Sequence, residues 1–331
     1  MKIMVYEARP DERADLEKQA ALHGVELSVT DAVPTLENAS LAAGCIGVSI
    51  LGQACIDAAL LDAYHALGIR YLSTRTIGYD HIDLDHARSI GLRVCSASYA
   101  PNGVADFTVM MILMCLRHYK QALWRGQVND FSLTGLQGRE MKDLTIGIIG
   151  TGRIGAQVAR NLSGFGCRIL AYDLRRNPAV EPQVTYVDFD TLLAQSDVIT
   201  LHMPLLDSNR HIINRESIAK MRDGVVIVNC SRGELADIEA LIEGIETGKI
   251  GALGMDTVEG DEGIIHADHR VDILPNRNWF YLHQFRNVIM TQHMAFYTDA
   301  AVSSMVDCGI GGICQMAAGE SCPTELTGPV Q

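Results

Sequence analysis

The sequence predicts an α/β protein built from two doubly wound, parallel-sheet domains. Its 331 residues suggest two domains of about 150 residues each. Short apolar segments alternate with helical segments along the chain, the pattern of strand–helix–strand units with parallel strands. A glycine-rich turn, Gly150-Thr151-Gly152-Arg153-Ile154-Gly155, follows an apolar segment and opens a helical one. This arrangement is typical of one kind of doubly wound domain.

The first 95 residues predict one complete α/β unit. Helices are expected to end at Gly24, Gly68 and Gly91, because glycine readily adopts the left-handed conformation that follows many helices. The predicted strands are Lys2–Tyr6, Glu26–Val29, Cys45–Ile50, Arg70–Ser73 and Leu92–Cys95, and the predicted helices are Asp11–His23, Ile56–Leu67 and Asp83–Ile90.

A second unit is predicted to begin after Tyr99-Ala100-Pro101-Asn102, with a long apolar helix over Val104–Leu123. Residues Gly260–Gln284 have the least regular pattern and are predicted to form a long loop, a kind of segment that is often functional. The predicted strands are Thr145–Ile149, Arg168–Tyr172, Val198–Leu201, Val225–Asn229, Gly251–Met255 and Val288–Thr291, and the predicted helices are Arg153–Phe165, Ser217–Met221, Glu234–Thr247 and the closing helix Asp299–Met316.

Charge and cysteine content restrict the class of protein. With 27 basic and 40 acidic residues the formal net charge is −13, which disfavours nucleic acid and anionic membranes as partners. The nine cysteines are scattered and odd in number, which favours reduced thiols in a cytoplasmic protein. The N-terminus becomes charged by Glu7, unlike a signal peptide, and the apolar run Val109–Leu116 is too short to span a bilayer.

The glycine-rich turn predicts a dinucleotide site. Gly150 permits the tight turn, Gly152 lets the backbone approach a pyrophosphate, and Gly155 lets the helix pack on the strand. The helix N-terminus then presents amide N–H groups and a positive dipole end to the phosphates. The motif alone is weak, but here it has a strand before it and a helix after it.

Asp173 predicts NAD as the cofactor. It ends the next predicted strand, 18 residues after Gly155, where a carboxylate accepts hydrogen bonds from the adenosine ribose and repels a 2′-phosphate. Arg175 and Arg176 follow directly and leave NADP open as the alternative.

Three polar groups follow the last three predicted strands. Arg232 lies on the turn after Val225–Asn229, Asp256 follows Gly251–Met255, and His293 follows the strand that starts at Val288. In doubly wound folds the chemistry lies at the carboxyl ends of the strands. Each residue alone has an ordinary structural explanation, but an arginine, a carboxylate and a histidine in these positions together favour a catalytic site.

These residues carry a resemblance to a known family. The segments Gly150–Gly155, Asp173, Ser231-Arg232-Gly233, Asp256 and His293-Met294-Ala295-Phe296-Tyr297 resemble the D-isomer-specific 2-hydroxyacid dehydrogenases over essentially the whole chain. The D-lactate dehydrogenase branch, which includes the vancomycin-resistance type, is the most similar one. The stretches that indicate this branch are Tyr71–Gly78, Val104-Ala105-Asp106 and Ile213–Met221.

The resemblance implies a Rossmann NAD-binding domain, residues 100–295, inserted into a flavodoxin-like substrate domain formed by residues 1–99 and 296–331. It implies reversible reduction of pyruvate or a related 2-oxo acid by NADH. The residues themselves predict no metal. Larger acids such as phenylpyruvate, 2-oxoisocaproate and 2-oxobutyrate remain open. In the family the long apolar helix lies in a dimer interface, so a homodimer is expected.

The resemblance also implies roles for individual residues. His293 would be the general acid and Arg232 would bind the substrate carboxylate. The other implied substrate contacts are Arg75, Ile77, Gly78, Tyr99 and Phe296, and the implied cofactor contacts are Gly150, Gly152, Arg153, Ile154, Gly155, Asp173, Met203, Pro204, Asn209, Cys230, Ser231 and Asp256.

The chain departs from the family at the acid that partners the histidine. The family has the second glutamate of an E-x-E pattern there, whereas this chain has Glu259-Gly260-Asp261 followed by Glu262. The motif register favours Asp261 as the catalytic partner of His293, with Glu262 as the alternative.

Two alternatives fit the sequence less well than a dehydrogenase does. A non-catalytic NAD-sensing protein would use the same fold, but Arg232 and His293 argue for chemistry. The cluster Asp80–His86 resembles a metal site, yet it lacks a calcium-loop pattern, and Asp83 is well placed as a helix N-cap. Turnover of NADH with pyruvate separates the enzyme from the sensor.

Overall fold

A computed structural model describes residues 1–328. The chain divides into two compact units, one made of Met1–Ala100 and the segment that starts at Tyr297, the other of Pro101–Phe296. The predicted domain boundaries lie one residue from these division points, and Phe296 belongs to the second unit.

The first unit is a parallel sheet with the strand order β2-β1-β3-β4-β5. Gly24 takes the predicted left-handed conformation after the first helix, and the Asp57 and Asp83 side chains cap the next two helices. Its elements before residue 101 are β1 Lys2–Val5, α1 Arg13–His23, β2 Glu26–Val29, β3 Gly47–Ile50, α2 Ala58–Ala66, β4 Tyr71–Thr74, α3 Leu84–Ser89 and β5 Arg93–Cys95.

The second unit is a parallel sheet of seven strands, ordered β12-β11-β10-β9-β6-β7-β8. Every residue of its central strands β6, β9 and β10 is buried. Its elements are α4 Asn102–Leu116, α5 Tyr119–Gln127, β6 Thr145–Ile149, α6 Arg153–Ser163, β7 Arg168–Tyr172, β8 Thr185–Tyr186, α7 Phe189–Gln195, β9 Val198–Leu201, α8 Arg215–Lys220, β10 Val225–Asn229, α9 Ile238–Glu246, β11 Ile250–Met255, α10 Arg277–His283 and β12 Val288–Met290.

The chain then returns to the first unit as α11, Asp299–Ala317, which packs on α1 and β4. By length and composition alone α11 could cross a membrane, which the sequence analysis did not anticipate. Half of its apolar window is buried, with Val306, Ile310 and Ile313 in the core formed by Ile3 and Val5. Core helices of this kind pass the same length and composition test.

The predicted helix Val104–Leu123 is wrong in its length, because the structure has two helices, α4 and α5. The backbone N–H of Arg139 donates to the Leu116 carbonyl oxygen at 3.1 Å, and His118 takes a left-handed conformation with φ 51°. A later segment therefore binds the C-terminal end of α4. The apolar periodicity of the sequence does not reveal this tertiary contact.

The predicted long loop Gly260–Gln284 is also wrong in part, since it contains α10. The Asn276 side chain accepts from the Trp279 backbone N–H, and Leu282 is buried against the core. Strand β8 and helix α7 were not predicted, although Asp188 caps α7 by accepting from the Thr191 backbone N–H. That aspartate was a usable helix-start signal.

Candidate functional site

The glycine-rich turn has the geometry of a dinucleotide cradle. Gly150 has φ 92°, and a Cβ there would lie 2.5 Å from the His202 carbonyl oxygen. A Cβ on Gly155 would collide with the Gly150 carbonyl oxygen, so helix α6 needs this glycine to approach the strand. A Cβ on Gly152 would meet no described atom within 4 Å, which leaves room at the helix N-terminus for a phosphate.

Asp173 lies beside this turn at the carboxyl end of β7. Its Oδ2 accepts from the Thr151 backbone N–H at 2.6 Å and from the Thr151 hydroxyl at 3.1 Å. Its Oδ1 accepts from the Arg175 backbone N–H at 3.0 Å. The carboxylate is thus fixed next to the glycine-rich turn, as an adenosine ribose acceptor must be.

The remaining predicted cofactor contacts form a connected loop region after β9 and β10. The Asn209 amide donates to the Pro204 carbonyl oxygen at 2.8 Å, and the Ser231 hydroxyl donates to the Met203 carbonyl oxygen at 2.6 Å. Cys230 is buried, and burial raises the pKa of its thiol well above the usual value. It is therefore a poor nucleophile and lines the region instead.

Arg232, Asp256 and His293 follow three strands that are neighbours in the sheet. Strand β10 pairs with β11, and β11 pairs with β12, with Asn229 opposite Met255 and Met255 opposite Met290. Because the strands are parallel and in register, all three groups emerge at the same edge of the sheet.

The carboxylate of Asp256 holds the turn that carries His293. Its two oxygens accept from the Met294 backbone N–H at 2.9 Å, the Ala295 backbone N–H at 2.8 Å and the Thr291 hydroxyl. Asp256 is 1% exposed. The structure therefore makes Asp256 a positioning residue for the histidine turn, and its role as a cofactor contact stays a prediction.

His293 itself has a left-handed backbone with φ 51°, which is uncommon for a residue with a side chain. Its ring lies 6.3 Å from that of Phe296 and 6.2 Å from that of His266, centroid to centroid. Strained backbones persist where surrounding contacts hold them and occur often in functional sites. Here Asp256 provides such contacts on both sides of His293.

Asp261 closes a turn with Val258. Its Oδ2 accepts from the Val258 backbone N–H at 3.1 Å, and burial raises the pKa of the carboxyl to about 7, helped by the nearby Glu262, Glu234 and Asp256. Glu262 is exposed. Glu259 instead pairs with His211 at 2.7 Å and Arg210 at 3.6 Å.

The predicted substrate contact Arg75 is wrong. Its side chain is 0% exposed and donates to Glu12 at 2.9 Å, to Ser49 at 3.2 Å and to the Tyr6 carbonyl oxygen at 3.0 Å. A guanidinium already paired inside the core of the first unit cannot reach a substrate. The motif gave no sign of this, because the partner Glu12 is distant in sequence.

The other predicted substrate residues of the first unit are partly exposed. Ile77 and Gly78 lie in the loop after β4, where the Thr76 hydroxyl donates to the Gly78 carbonyl oxygen at 2.7 Å. Tyr99 is the second-to-last residue of Met1–Ala100, the first of the two chain segments that form this unit.

Sequence reasoning missed two site residues, Thr151 and Thr291, which bind the carboxylates of Asp173 and Asp256. Thr151 lies within the glycine-rich motif and Thr291 lies just before His293, which was the available signal, but the carboxylates that they bind are 22 and 35 residues away in sequence. Among residues 1–328, no group of three His, Cys, Asp or Glu side chains is placed to hold a metal ion.

Comparisons with known proteins identify the family of this chain. Residues 109–295 match the family described as D-isomer specific 2-hydroxyacid dehydrogenase, NAD binding domain. An aromatic 2-oxoacid reductase of Clostridium sporogenes is 42% identical over 311 residues, covering 93% of this chain and 93% of that protein.

Two solved structures are similar over nearly the whole length. The D-lactate dehydrogenase of Escherichia coli has a TM-score of 0.86 at 35% identity and covers 98% of this chain and 100% of its own. The NAD-complexed D-isomer specific 2-hydroxyacid dehydrogenase of Lactobacillus delbrueckii ssp. bulgaricus has a TM-score of 0.84 at 30% identity, with 98% and 100% covered.

The protein is an NAD-binding oxidoreductase with two parallel-sheet units. It belongs to the D-isomer-specific 2-hydroxyacid dehydrogenase family. The predicted fold class, enzyme class and cofactor are confirmed.

Replacing Asp173 tests the choice between NADH and NADPH. In Asp173→Ala the affinity for NADH is expected to fall and that for NADPH to rise, because a ribose acceptor and a charge that repels the 2′-phosphate are both lost. Dissociation constants for the two cofactors measure this. Asp188→Ala, which removes only the cap of α7, is the control, and an unchanged preference in Asp173→Ala would place Asp173 away from the ribose.

Proposed function

We propose that the protein reduces pyruvate, or a closely related small 2-oxo acid, to the D-2-hydroxy acid with NADH, as a D-lactate dehydrogenase. The observation that carries the proposal is the convergence of Arg232, Asp256 and His293 at the ends of β10, β11 and β12. This edge brings a cation, a proton donor and the residue that orients the donor together in one dinucleotide-binding unit.

The residues supply complementary chemistry. Reduction of a 2-oxo acid places negative charge on the carbonyl oxygen, and bound NADH supplies the hydride. His293 donates a proton to that oxygen, and Arg232 binds the substrate carboxylate through its planar guanidinium. Asp256 holds the His293 turn, so the donor is oriented before the substrate arrives.

NAD contacts are proposed for the glycine-rich turn and the loop region beside it. The backbone N–H groups at the start of α6 bind the pyrophosphate, and Asp173 binds the adenosine ribose. The other proposed contacts are Gly150, Gly152, Arg153, Ile154, Gly155, Met203, Pro204, Asn209, Cys230 and Ser231.

Substrate contacts are also proposed outside the strand-end cluster. In this proposal the backbone N–H groups of Ile77 and Gly78 bind the substrate carboxylate, and Tyr99 and Phe296 are contacts of the substrate side chain. Residues 1–99 and 296–331 form the substrate domain in this proposal, and residues 100–295 form the NAD domain.

The second candidate function is that of a dehydrogenase for larger 2-oxo acids. It is supported by the relative in Clostridium sporogenes, which is named for aromatic 2-oxoacids. A panel of pyruvate, 2-oxobutyrate, 2-oxoisocaproate and phenylpyruvate with NADH, with chiral analysis of each product, tests both candidates. The highest kcat/KM with pyruvate and a D-product supports the first, whereas a preference for phenylpyruvate supports the second. An L-product would contradict both.

The partner of His293 can be identified from pH profiles. We propose that Asp261 takes this role, because it occupies the position of the family's second glutamate in the E-x-E pattern. A neighbouring carboxylate raises the pKa of a histidine. Reduction requires protonated His293, so activity falls as pH rises through that pKa. Asp261→Asn is therefore expected to move the alkaline limb of kcat/KM for pyruvate to lower pH.

Glu262→Gln is the matched control, because Glu262 is adjacent in sequence but exposed. Its alkaline limb is expected to stay in place. A shift in Glu262→Gln alone would assign the partner to Glu262, and no shift in either variant would exclude both.

A homodimer in the cytoplasm is also proposed. The region of α5 and the segment after it exposes large apolar side chains, with Trp124 68%, Phe131 78% and Leu133 84% exposed. Exposed apolar patches of this kind mark protein interfaces, which supports the dimer. The nine free cysteines fit a reducing compartment, which supports the cytoplasm. Light scattering is expected to give twice the chain mass, and a monomer at micromolar concentration would contradict it.

A further inference from the structure

Three cysteine side chains come together in the first unit, and the proposed function uses none of them. Cys95 ends β5, Cys308 lies in α11, and Cys322 follows α11. The Cys95 and Cys322 thiols lie close enough to interact with each other. The Cys308 thiol donates to the Ser98 carbonyl oxygen at 3.4 Å and lies close enough to interact electrostatically with the other two.

Gly312 in α11 makes room for the Cys95–Cys322 pair. A Cβ on Gly312 would lie 2.6 Å from the Cys95 sulfur and 3.5 Å from the Cys322 sulfur. The two sulfurs therefore flank one point of the helix backbone, and a side chain at residue 312 would separate them. Cys95 is 0% exposed, and Cys322 is 8% exposed.

Backbone pairing holds the segment of Cys322 against β5. The Ser96 N–H donates to the Thr324 carbonyl oxygen at 3.0 Å, and the Leu326 N–H donates to the Val94 carbonyl oxygen at 2.8 Å. Arg93 and Glu325 form an ion pair of 2.6 Å beside them. The pairing of β5 with the segment around Cys322 therefore holds the two sulfurs close together.

The two thiols differ in reactivity. Hydrogen bonds from Cys95 and from the hydroxyl and N–H of Thr324 lower the pKa of Cys322 to about 6. The hydrogen bond to Cys322 and burial raise the pKa of Cys95 well above its usual value. The lowered pKa favours the thiolate of Cys322, which is the nucleophilic form, whereas the raised pKa of Cys95 favours its protonated thiol.

We propose that Cys322 and Cys95 form a peroxide-reactive dithiol that is oxidised to a disulfide. The Cys322 thiolate attacks one oxygen of hydrogen peroxide, the O–O bond breaks, and the hydroxide released takes up a proton to give water. The Cys322 sulfenic acid is then attacked by the Cys95 sulfur, the S–O bond breaks, and the Cys95 proton leaves with the hydroxide as a second water. Two thiols are oxidised and one peroxide is reduced.

The proposal is tested on the full chain treated with hydrogen peroxide and then unfolded in an alkylating agent. Two of the nine free thiols are expected to be lost, with a peptide linking Cys95 to Cys322, and dithiothreitol is expected to restore both. Cys55→Ser, which removes an exposed thiol, and Cys308→Ser are expected to retain the link. Cys322→Ser is expected to lose it.

Other products would overturn the proposal. These are a link through Cys308, recovery of Cys322 as an isolated sulfinic acid, or unchanged thiols. A measurement on the reduced, unmutated chain makes the test independent of how Cys322→Ser folds. Alkylation of Cys322 by iodoacetamide is expected to have a midpoint near pH 6, and a midpoint above about pH 8, as for an ordinary thiol, would also overturn it.

Discussion

Removing the His293 imidazole is expected to lower kcat for pyruvate reduction by about 10²–10⁴-fold, because the carbonyl oxygen loses its proton donor. NADH binding is expected to stay close to that of the parent, since the glycine-rich turn and Asp173 lie on other strands. Steady-state kinetics and NADH titration of His293→Gln measure the two effects separately.

The backbone at residue 293 calls for a second variant. His293 has φ 51°, and asparagine tolerates this left-handed conformation better than glutamine does. His293→Asn therefore separates loss of the proton donor from distortion of the turn, and it is expected to be as inactive as His293→Gln. His86→Gln, at a surface histidine paired with Asp62, is the control and should keep full activity. A kcat within threefold of the parent in both His293 variants would remove His293 from the mechanism.

The strands of the second unit could be predicted because their signals are local. Thr145–Ile149, Arg168–Tyr172, Val198–Leu201 and Val225–Asn229 were all predicted with the bounds that the structure has. Each is a short apolar run with polar or glycine residues after it, and buried parallel strands have this pattern. Sites at strand ends follow from the strands, which is why Arg232 and His293 could be singled out from sequence.

The predictions that differ from the structure fail because of contacts between residues that are distant in sequence. The backbone N–H of Arg139 binds the carbonyl of Leu116, the last residue of helix α4, and nothing near Leu116 in the sequence indicates this contact. In the same way, the Asp256 carboxylate is occupied by groups 35 to 39 residues further along the chain. A residue type at a strand end predicts that a side chain is near the site, but its hydrogen-bond partners decide whether it binds a ligand or holds a neighbour.

Arg75 tests the distinction between a side chain that binds a ligand and one that holds a neighbouring residue. Arg75 and Glu12 form an ion pair of 2.9 Å in which both side chains are 0% exposed. Removing one partner of a buried pair leaves the other charge without compensation, which costs about 3–5 kcal/mol. Arg75→Met is therefore expected to lower the free energy of unfolding of the first unit by that amount.

The double variant Arg75→Met/Glu12→Leu is expected to recover most of this stability, because no unpaired charge remains. Hydrogen exchange of the β1, β3 and β4 amides is a suitable measurement, since both tryptophans, Trp124 and Trp279, lie in the second unit and their fluorescence does not report on the first.

In folded Arg75→Met, the KM for pyruvate is expected to stay within about twofold of the parent, because a side chain engaged with Glu12, Ser49 and Tyr6 makes no substrate contact. A tenfold or larger rise in KM without loss of stability would return Arg75 to the substrate site and contradict the role the structure gives it.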